Sequence, residues 1–252
     1  GRFARTQDAV EHGIRLVEEG ADVIDVGGES TRPGATPVSA TEEIDRVVGV
    51  IEALSKVVTV PISIDTSQPE VMRAAVAAGA SMINDVRALR LPGALEAVAE
   101  LGVPACLMHM QGEPPTMQTD PRYGSNVVDE VMDFLAARIA LCEKAGVDRQ
   151  QLLIDPGFGF GKHLTHNLAL LAHLDRLQVL QCPLVIGVSR KSMLGQLLDG
   201  RPPAGRQSAS VTAALWAATQ GAAMVRVHDV APTVDALRVW QMVSAARTQL
   251  ER

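Results

Sequence analysis

Asp65, Asn84, Asp155, Lys191, Arg226 and His228 are the residues of this sequence best placed to do chemistry together, with Asp25 a further strand-end acid. Each stands at or just past the end of a short apolar run, where Glu29, Asp85, His109, Ser189-Arg190-Lys191-Ser192 and Asp229 also fall. Side chains alternate along a strand, so Arg226 and His228 face one way and present an anion with two donors. Arg32 adds a third cationic arm. The alternative for Arg226 is a structural ion pair with a carboxylate such as Asp25 or Asp229. Asp65, Asn84 and Asp155 are acceptors in want of donors, because a carboxylate withdrawn from water is costly unless paired. A flat ring with two parallel N–H groups, such as a 2-amino-pyrimidinone, gives one carboxylate two aligned bonds, and Lys191 then meets the opposite edge. The alternative, local helix capping or lysine pairing, suits Asp85 and Asp229. Asp155 precedes Pro156-Gly157, where no helix starts.

The remaining motifs carry less. Gly157-Phe158-Gly159-Phe160-Gly161-Lys162 has neither dinucleotide-binding nor P-loop spacing. It reads as a loop in which Phe160 supplies an aromatic wall, while Phe158 is equally a core residue. His163 and His166 lack a third ligand for a zinc site. Ser189, Ser192, Cys106 and Lys191 form no nucleophile–base–orienter pattern. Met108 and Met110 read as core or pocket wall, and Trp216 and Trp240 as packing residues.

Net charge of −6 argues against a nucleic-acid surface, and 47% hydrophobic with 21% charged residues is a soluble composition. Cys106, Cys142 and Cys182 are widely spaced in apolar surroundings, which fits reduced core thiols better than disulfides. No apolar run is long enough to span a bilayer and no signal peptide opens the sequence, so a cytoplasmic protein without membrane partners is expected.

The elements that must position these groups repeat as strand then helix. Strands are expected at Asp22–Val26, Val60–Ile64, Ser81–Asn84, Ala105–Met108, Leu152–Ile154, Leu184–Val188 and Met224–Val227. Helices are expected at Asp8–Glu19, Ala40–Lys56, Pro69–Ala78, Gly93–Leu101, Val127–Ala145, Asn167–Leu177, Ser208–Gln220 and Thr233 to about Leu250. The βα repeat implies a parallel sheet. Eight helices against seven strands, with a helix first, fits a TIM (β/α)8 barrel lacking its first strand in this sequence. An open doubly wound sheet is the rival and would show a phosphate-binding glycine turn after its first strand. Residues 1–252 are then a single domain, with the strands' carboxyl ends as the active face.

Seven motifs in order resemble the dihydropteroate synthases of the bacterial folate pathway, from Asp8 to about Val243. They are Ile24-Asp25-Val26-Gly27-Gly28-Glu29-Ser30-Thr31-Arg32-Pro33-Gly34, Ser63-Ile64-Asp65-Thr66-Ser67, Ile83-Asn84-Asp85, Leu107-Met108-His109-Met110, Asp155 through Phe160, Ser189-Arg190-Lys191-Ser192 and Arg226-Val227-His228-Asp229. The resemblance implies the barrel. It also implies condensation of 6-hydroxymethyl-7,8-dihydropterin pyrophosphate with p-aminobenzoate to 7,8-dihydropteroate and pyrophosphate. It places the pterin against Asp65, Asn84, Met108, Asp155 and Lys191, and the pyrophosphate with bound Mg²⁺ against Arg32, Arg226 and His228. Thr31, Pro33, Phe160, Lys191 and Ser192 would surround p-aminobenzoate. Asp65, Lys191, Arg226 and His228 would carry the catalysis, by charge stabilisation and alignment without a protein nucleophile.

In the family an upstream strand and loop supply an Asn reaching the metal and a Ser-Phe-Ser-Asp-Gly-Gly segment closing over p-aminobenzoate. This sequence begins where that loop ends, so no metal ligand is expected within it, and a chain truncated there is expected to turn over weakly. The resemblance also implies a homodimer, with the helices from Ser208 and Thr233 as candidate faces. Other readings are a pterin-dependent methyltransferase domain, a non-catalytic pterin-binding homologue and a Schiff-base aldolase built on Lys191.

Overall fold

The computed structural model describes residues 5–31, 34, 36–114, 116–124 and 126–250. Parallel neighbours need a crossover between them, and a helix lies between most successive apolar runs, so the strands pair in chain order. β1 (Ile24–Gly27), β2 (Ile62–Asp65), β3 (Met82–Asp85), β4 (Ala105–Met108) and β5 (Leu152–Asp155) form one parallel sheet in that order. β6 (Val185–Ile186) and β7 (Met224–Val225) pair in parallel, and a bridge between Ile154 and Leu184 joins the two groups. Among the described residues no ladder joins β7 back to β1. Side chains span that gap: Arg226, just past β7, donates to Asp25 on β1 and Asp65 on β2, each at 3.2 Å. The strand series is therefore curled, and its first and last tips are within side-chain reach.

The helices α1 (Thr6–Glu18), α2 (Ala40–Leu54), α3 (Pro69–Ala77), α4 (Ala94–Leu101), α5 (Val127–Lys144), α6 (Leu164–Ala172), α7 (Ser192–Leu197), α8 (Gln207–Thr219) and α9 (Val230–Leu250) complete the chain. On α2 the buried stripe is Glu43, Val47, Val50, Ile51 and Leu54, the helical period that turns one face to the sheet. Each fully buried aliphatic side chain such as Ile51 contributes about 1.5–3 kcal/mol. Ser39 caps α2 by accepting from the Glu42 N–H at 3.2 Å, and Asn126 caps α5 by accepting from Val128 at 2.9 Å. One apolar core runs from Ile24 to Ala217 and joins strands to helices. Cys106, Cys142 and Cys182 are buried free thiols within the fold, and among the described residues no helix is long and apolar enough to cross a membrane.

The seven strands fall where the sequence puts them, and four details differ. α7 is not anticipated, because six residues of Ser-Met-Leu-Gly-Gln-Leu show too little period to register. The helix expected over Asn167–Leu177 is α6 followed by a 3₁₀ segment, Leu174–Leu180. α9 begins at Val230, ahead of Thr233, whose hydroxyl turns back to the Asp229 carbonyl at 2.7 Å. The last strand stops at Val225, so Arg226 and His228 lie beyond it and strand alternation does not orient them.

Candidate active site

The register of β1, β2 and β3 sets Gly27 beside Asp65 and Asp65 beside Asn84, with Asp25 two residues back on β1 beside Ser63. Asn84 Nδ2 donates to Asp25 Oδ2 at 3.2 Å, and Arg226 Nη1 donates to the same oxygen and to Asp65 Oδ2. The ion pair considered for Arg226 thus exists with Asp25, but its second carboxylate is Asp65. Asp229 instead takes both arms of Arg190, at 2.5 and 2.9 Å. Asp25 Oδ1 is buried without a hydrogen-bond partner. Burial and then the Asp25 charge push Asp65 up to about 7, against the pull of Arg226. Burial opposes the Arg226 charge, yet Asp65, Asp25 and Asp155 together raise its proton affinity.

Asp155 ends β5 and accepts the Gly157 N–H at 2.7 Å through Oδ1. A Cβ placed on Gly187 would lie 3.8 Å from Asp155 Oδ2 and 3.6 Å from Arg226 Nε. The Asp155 carboxylate and the Arg226 guanidinium therefore face one space. Burial raises the Asp155 pKa, opposed by the Gly157 N–H, Arg226, Lys191 and Lys162.

Lys191 reaches this space from the loop after β6. Its ammonium stands 4.2 Å over the Phe160 ring, and burial followed by Arg226 brings its pKa down to about 8. Arg190 beside it turns away. It adopts φ +57°, its N–H bonds Ser210 Oγ at 2.9 Å, and Arg206 holds the carbonyls of Arg190 and Lys191 at 2.9 and 3.1 Å. These anchors divide the Ser-Arg-Lys-Ser segment into a structural arginine and a lysine aimed at the mouth.

The aromatic wall is held from beneath by a lysine that sequence reasoning passed over. Lys162 is buried, and Nζ bonds the carbonyls of Gly157 and Phe160 at 2.9 and 3.1 Å and lies 2.8 Å from His109 Nδ1. The signal is the lysine closing the glycine-rich run, a stretch read for its glycine spacing and for Phe160 but not for Lys162. Gly157 has φ +70°, and a Cβ there would sit 1.8 Å from the His109 carbonyl, so the turn accepts glycine alone. His109 is a core group: burial and then Lys162 drive its pKa down to about 2, and it packs edge-on to Phe134. His163 and His166 cap α6 through the His163 N–H to His166 Nδ1.

Met108 and Phe160 are buried in one cluster with Val86, Met110 and Met117, and Phe158 belongs to the main core. His228 is solvent-exposed, with its N–H and Nδ1 at 3.1 and 3.0 Å from Ser189 Oγ. Thr31 is half-buried after β1 and Ser192 is exposed at the start of α7. Ser192 also borders a polar cavity of about 300 Å³ with Gln118, Lys162 and Asn167, which includes none of the five residues expected to meet a pterin. Arg32 and Pro33 lie outside the described residues. Asp25 is the acid whose part at the site was underrated: it is one of the strand tips, yet only the fold shows what it holds. Trp216 is nearly half exposed, so it is not the simple packing residue expected.

Residues 1–228 match the family model of pterin binding enzymes. The chain is 52% identical over 240 residues to the dihydropteroate synthase of Escherichia coli K12, covering 95% of this chain and 84% of that one. The chain belongs to the dihydropteroate synthase family. Its fold matches the family's crystal structures: the Xanthomonas albilineans synthase with 4-aminobenzoic acid superposes with a TM-score of 0.91 at 57% identity, covering 95% of this chain and 85% of that one. The Yersinia pestis synthase in complex with a sulfonamide drug gives 0.93 at 49% identity, covering 97% and 87%. At such similarity the curled parallel sheet of this synthase is that of a TIM barrel.

Proposed function

We propose that the mouth between β1 and β7 binds 6-hydroxymethyl-7,8-dihydropterin pyrophosphate and p-aminobenzoate. As a dihydropteroate synthase the chain is a transferase of folate biosynthesis that condenses the two and releases pyrophosphate. The observation that carries the site assignment is the common space of Asp155 and Arg226 over Gly187. Asp155 takes the parallel N–H groups of the pterin, with Asn84 and Lys191 at its polar edges and Met108 against its face. Arg226 and His228 receive the pyrophosphate, joined by Arg32. Phe160, Lys191 and Ser192, with Thr31 and Pro33, receive p-aminobenzoate.

Pyrophosphate leaves as its developing charge is held by Arg226 and His228. The methylene carbon becomes electron-poor in conjugation with the pterin, beside the carboxylate of Asp65. The aniline nitrogen, aligned by Lys191 and Phe160, attacks it. Mg²⁺, when bound, would supply positive charge to the leaving diphosphate, whose own oxygens are hard ligands suited to it. Among the described residues no three His, Cys, Asp or Glu side chains gather as a metal cluster.

Residues 1–252 act as one domain, a reading supported by the large core that joins strands to helices, and a cytoplasmic one, supported by its three buried free cysteines. The seven strands read as the second to eighth of the family barrel, supported by the unladdered gap between β7 and β1. A homodimer is supported by an apolar groove of about 430 Å³ between α6, α7 and α8, where Leu168, Leu197 and Trp216 are exposed. A second copy is its proposed occupant, and a monomer in sedimentation at micromolar concentration rejects that.

The test of the site is isothermal titration with the pterin pyrophosphate, comparing Asp155→Asn with the unmodified chain. Loss of binding in the variant is expected, and unchanged affinity refutes the placement.

A further inference from the structure

The site assignment gives Arg226 to the pyrophosphate, yet one of its terminal nitrogens is already shared by two acids. Nη1 carries two hydrogens, and Asp25 Oδ2 and Asp65 Oδ2 each lie 3.2 Å from it. Asp25 accepts a second donor, Asn84 Nδ2, on the same oxygen, so it is fixed from β3 as well as from beyond β7. Its other oxygen is buried and unpartnered, which leaves the negative charge uncompensated on that side. Nothing in the binding of either substrate requires a second carboxylate on this nitrogen.

We propose that Asp25 is a positioning residue for the condensation: by taking one hydrogen of Arg226 Nη1 while Asp65 takes the other, it leaves Asp65 incompletely neutralised and able to receive the proton that the aniline nitrogen sheds. The inference rests on the placement of both substrates at this mouth. In the step the aniline lone pair forms the N–C bond to the methylene carbon. The C–O bond to the diphosphate breaks and its electron pair leaves with the diphosphate oxygen. The N–H proton passes to an Asp65 oxygen, and water later removes it.

The charges around Asp65 are consistent with this. Asp25 faces it from β1, Asp85 from β3, Glu43 from α2, Arg226 from beyond β7 and Lys191 from beyond β6. Asp85 spends both oxygens on Ser67 and on the N–H groups of Arg87 and Leu89. Glu43 is fully buried, and burial pushes its own carboxyl up to about 7. Burial first, and then Asp25 as the like charge that weighs most, bring Asp65 up to about 7, where a base works best at physiological pH.

The test is the pH profile of kcat/KM for p-aminobenzoate, read by pyrophosphate release, in the unmodified chain and in Asp25→Asn. The expected result is an acid limb near neutrality that moves to lower pH by about one unit or more in the variant. Ionisation of the diphosphate is common to both proteins and does not move. A limb at the same pH, whatever the loss of rate, overturns the proposal. Should Asp25→Asn fail to fold, a carbon-13 titration of the Asp65 carboxyl in the unmodified chain and in Asp25→Ser decides, with Asp65→Asn for assignment. A near-neutral midpoint that falls in Asp25→Ser supports the proposal, and one that stays, or one already in the ordinary carboxylate range, overturns it. Turnover with an unmoved limb removes only the role of Asp25, whereas an unmodified chain that does not bind the pterin pyrophosphate in titration removes the substrate placement with it.

Discussion

Asp155 and Arg226 converge on Gly187: a Cβ there would meet the carboxylate at 3.8 Å and the guanidinium at 3.6 Å. One residue without a side chain thus leaves the group suited to a ring edge and the group suited to a diphosphate in a shared space.

Arg226→Ala is expected to lose at least about 2 kcal/mol of transition-state stabilisation, roughly thirtyfold in kcat/KM. It also leaves Asp25 and Asp65 as neighbouring acids without their shared cation. Pyrophosphate release under single-turnover conditions measures the first effect, and a rate within twofold of the unmodified enzyme contradicts the assignment.

Gly157→Ala places a methyl group where the His109 carbonyl stands and requires a left-handed backbone of a residue that resists it. The Asp155–Phe160 loop must move, taking the Gly157 N–H from Asp155 and two carbonyls from Lys162. A destabilisation of about 2 kcal/mol or more in urea titration is expected, together with weaker pterin binding. A stable variant with normal affinity refutes the account of the loop.

Lys191 has a pKa lowered to about 8, so its charge is present below that pH and lost as pH rises through it. The affinity for p-aminobenzoate is expected to fall above about pH 8. Lys191→Arg removes that limb, though not without loss of rate, since the planar guanidinium differs from an ammonium over Phe160. A basic limb that persists unchanged in the variant assigns it to another group.

His109 is neutral in the fold, with its pKa lowered from 6.5 to about 2. The unfolded chain then binds the extra proton, so stability is full above about pH 6.5 and declines as pH falls below it. His109→Gln keeps an acceptor for Lys162 and is expected to flatten this acid limb in thermal unfolding between pH 7 and 4. Parallel curves for the two proteins disprove it.

The strand tips were legible because a parallel strand is a short apolar run and its end is marked by the first acid or amide. Asp65, Asn84 and Asp155 could be read directly, and the βα repeat fixed their common rim. Asp85 was readable as a locally bonded acid, whereas Asp229 pairs with Arg190 across 39 residues rather than with a local partner. α7 was not, since one and a half turns of helix carry no measurable period.

By itself the sequence determined the order of the strands and the residue types presented at each tip, because these follow from periodicities a few residues long, while the family was legible only as a resemblance carried by seven motifs in order. Tertiary structure alone decided which tips share a charge. Arg226 meets Asp25 across 201 residues, and Lys162 meets His109 across 53. Those meetings depend on how far the sheet curls and on which carbonyls a turn leaves free. Both are set by packing over the whole chain, and no local pattern records them.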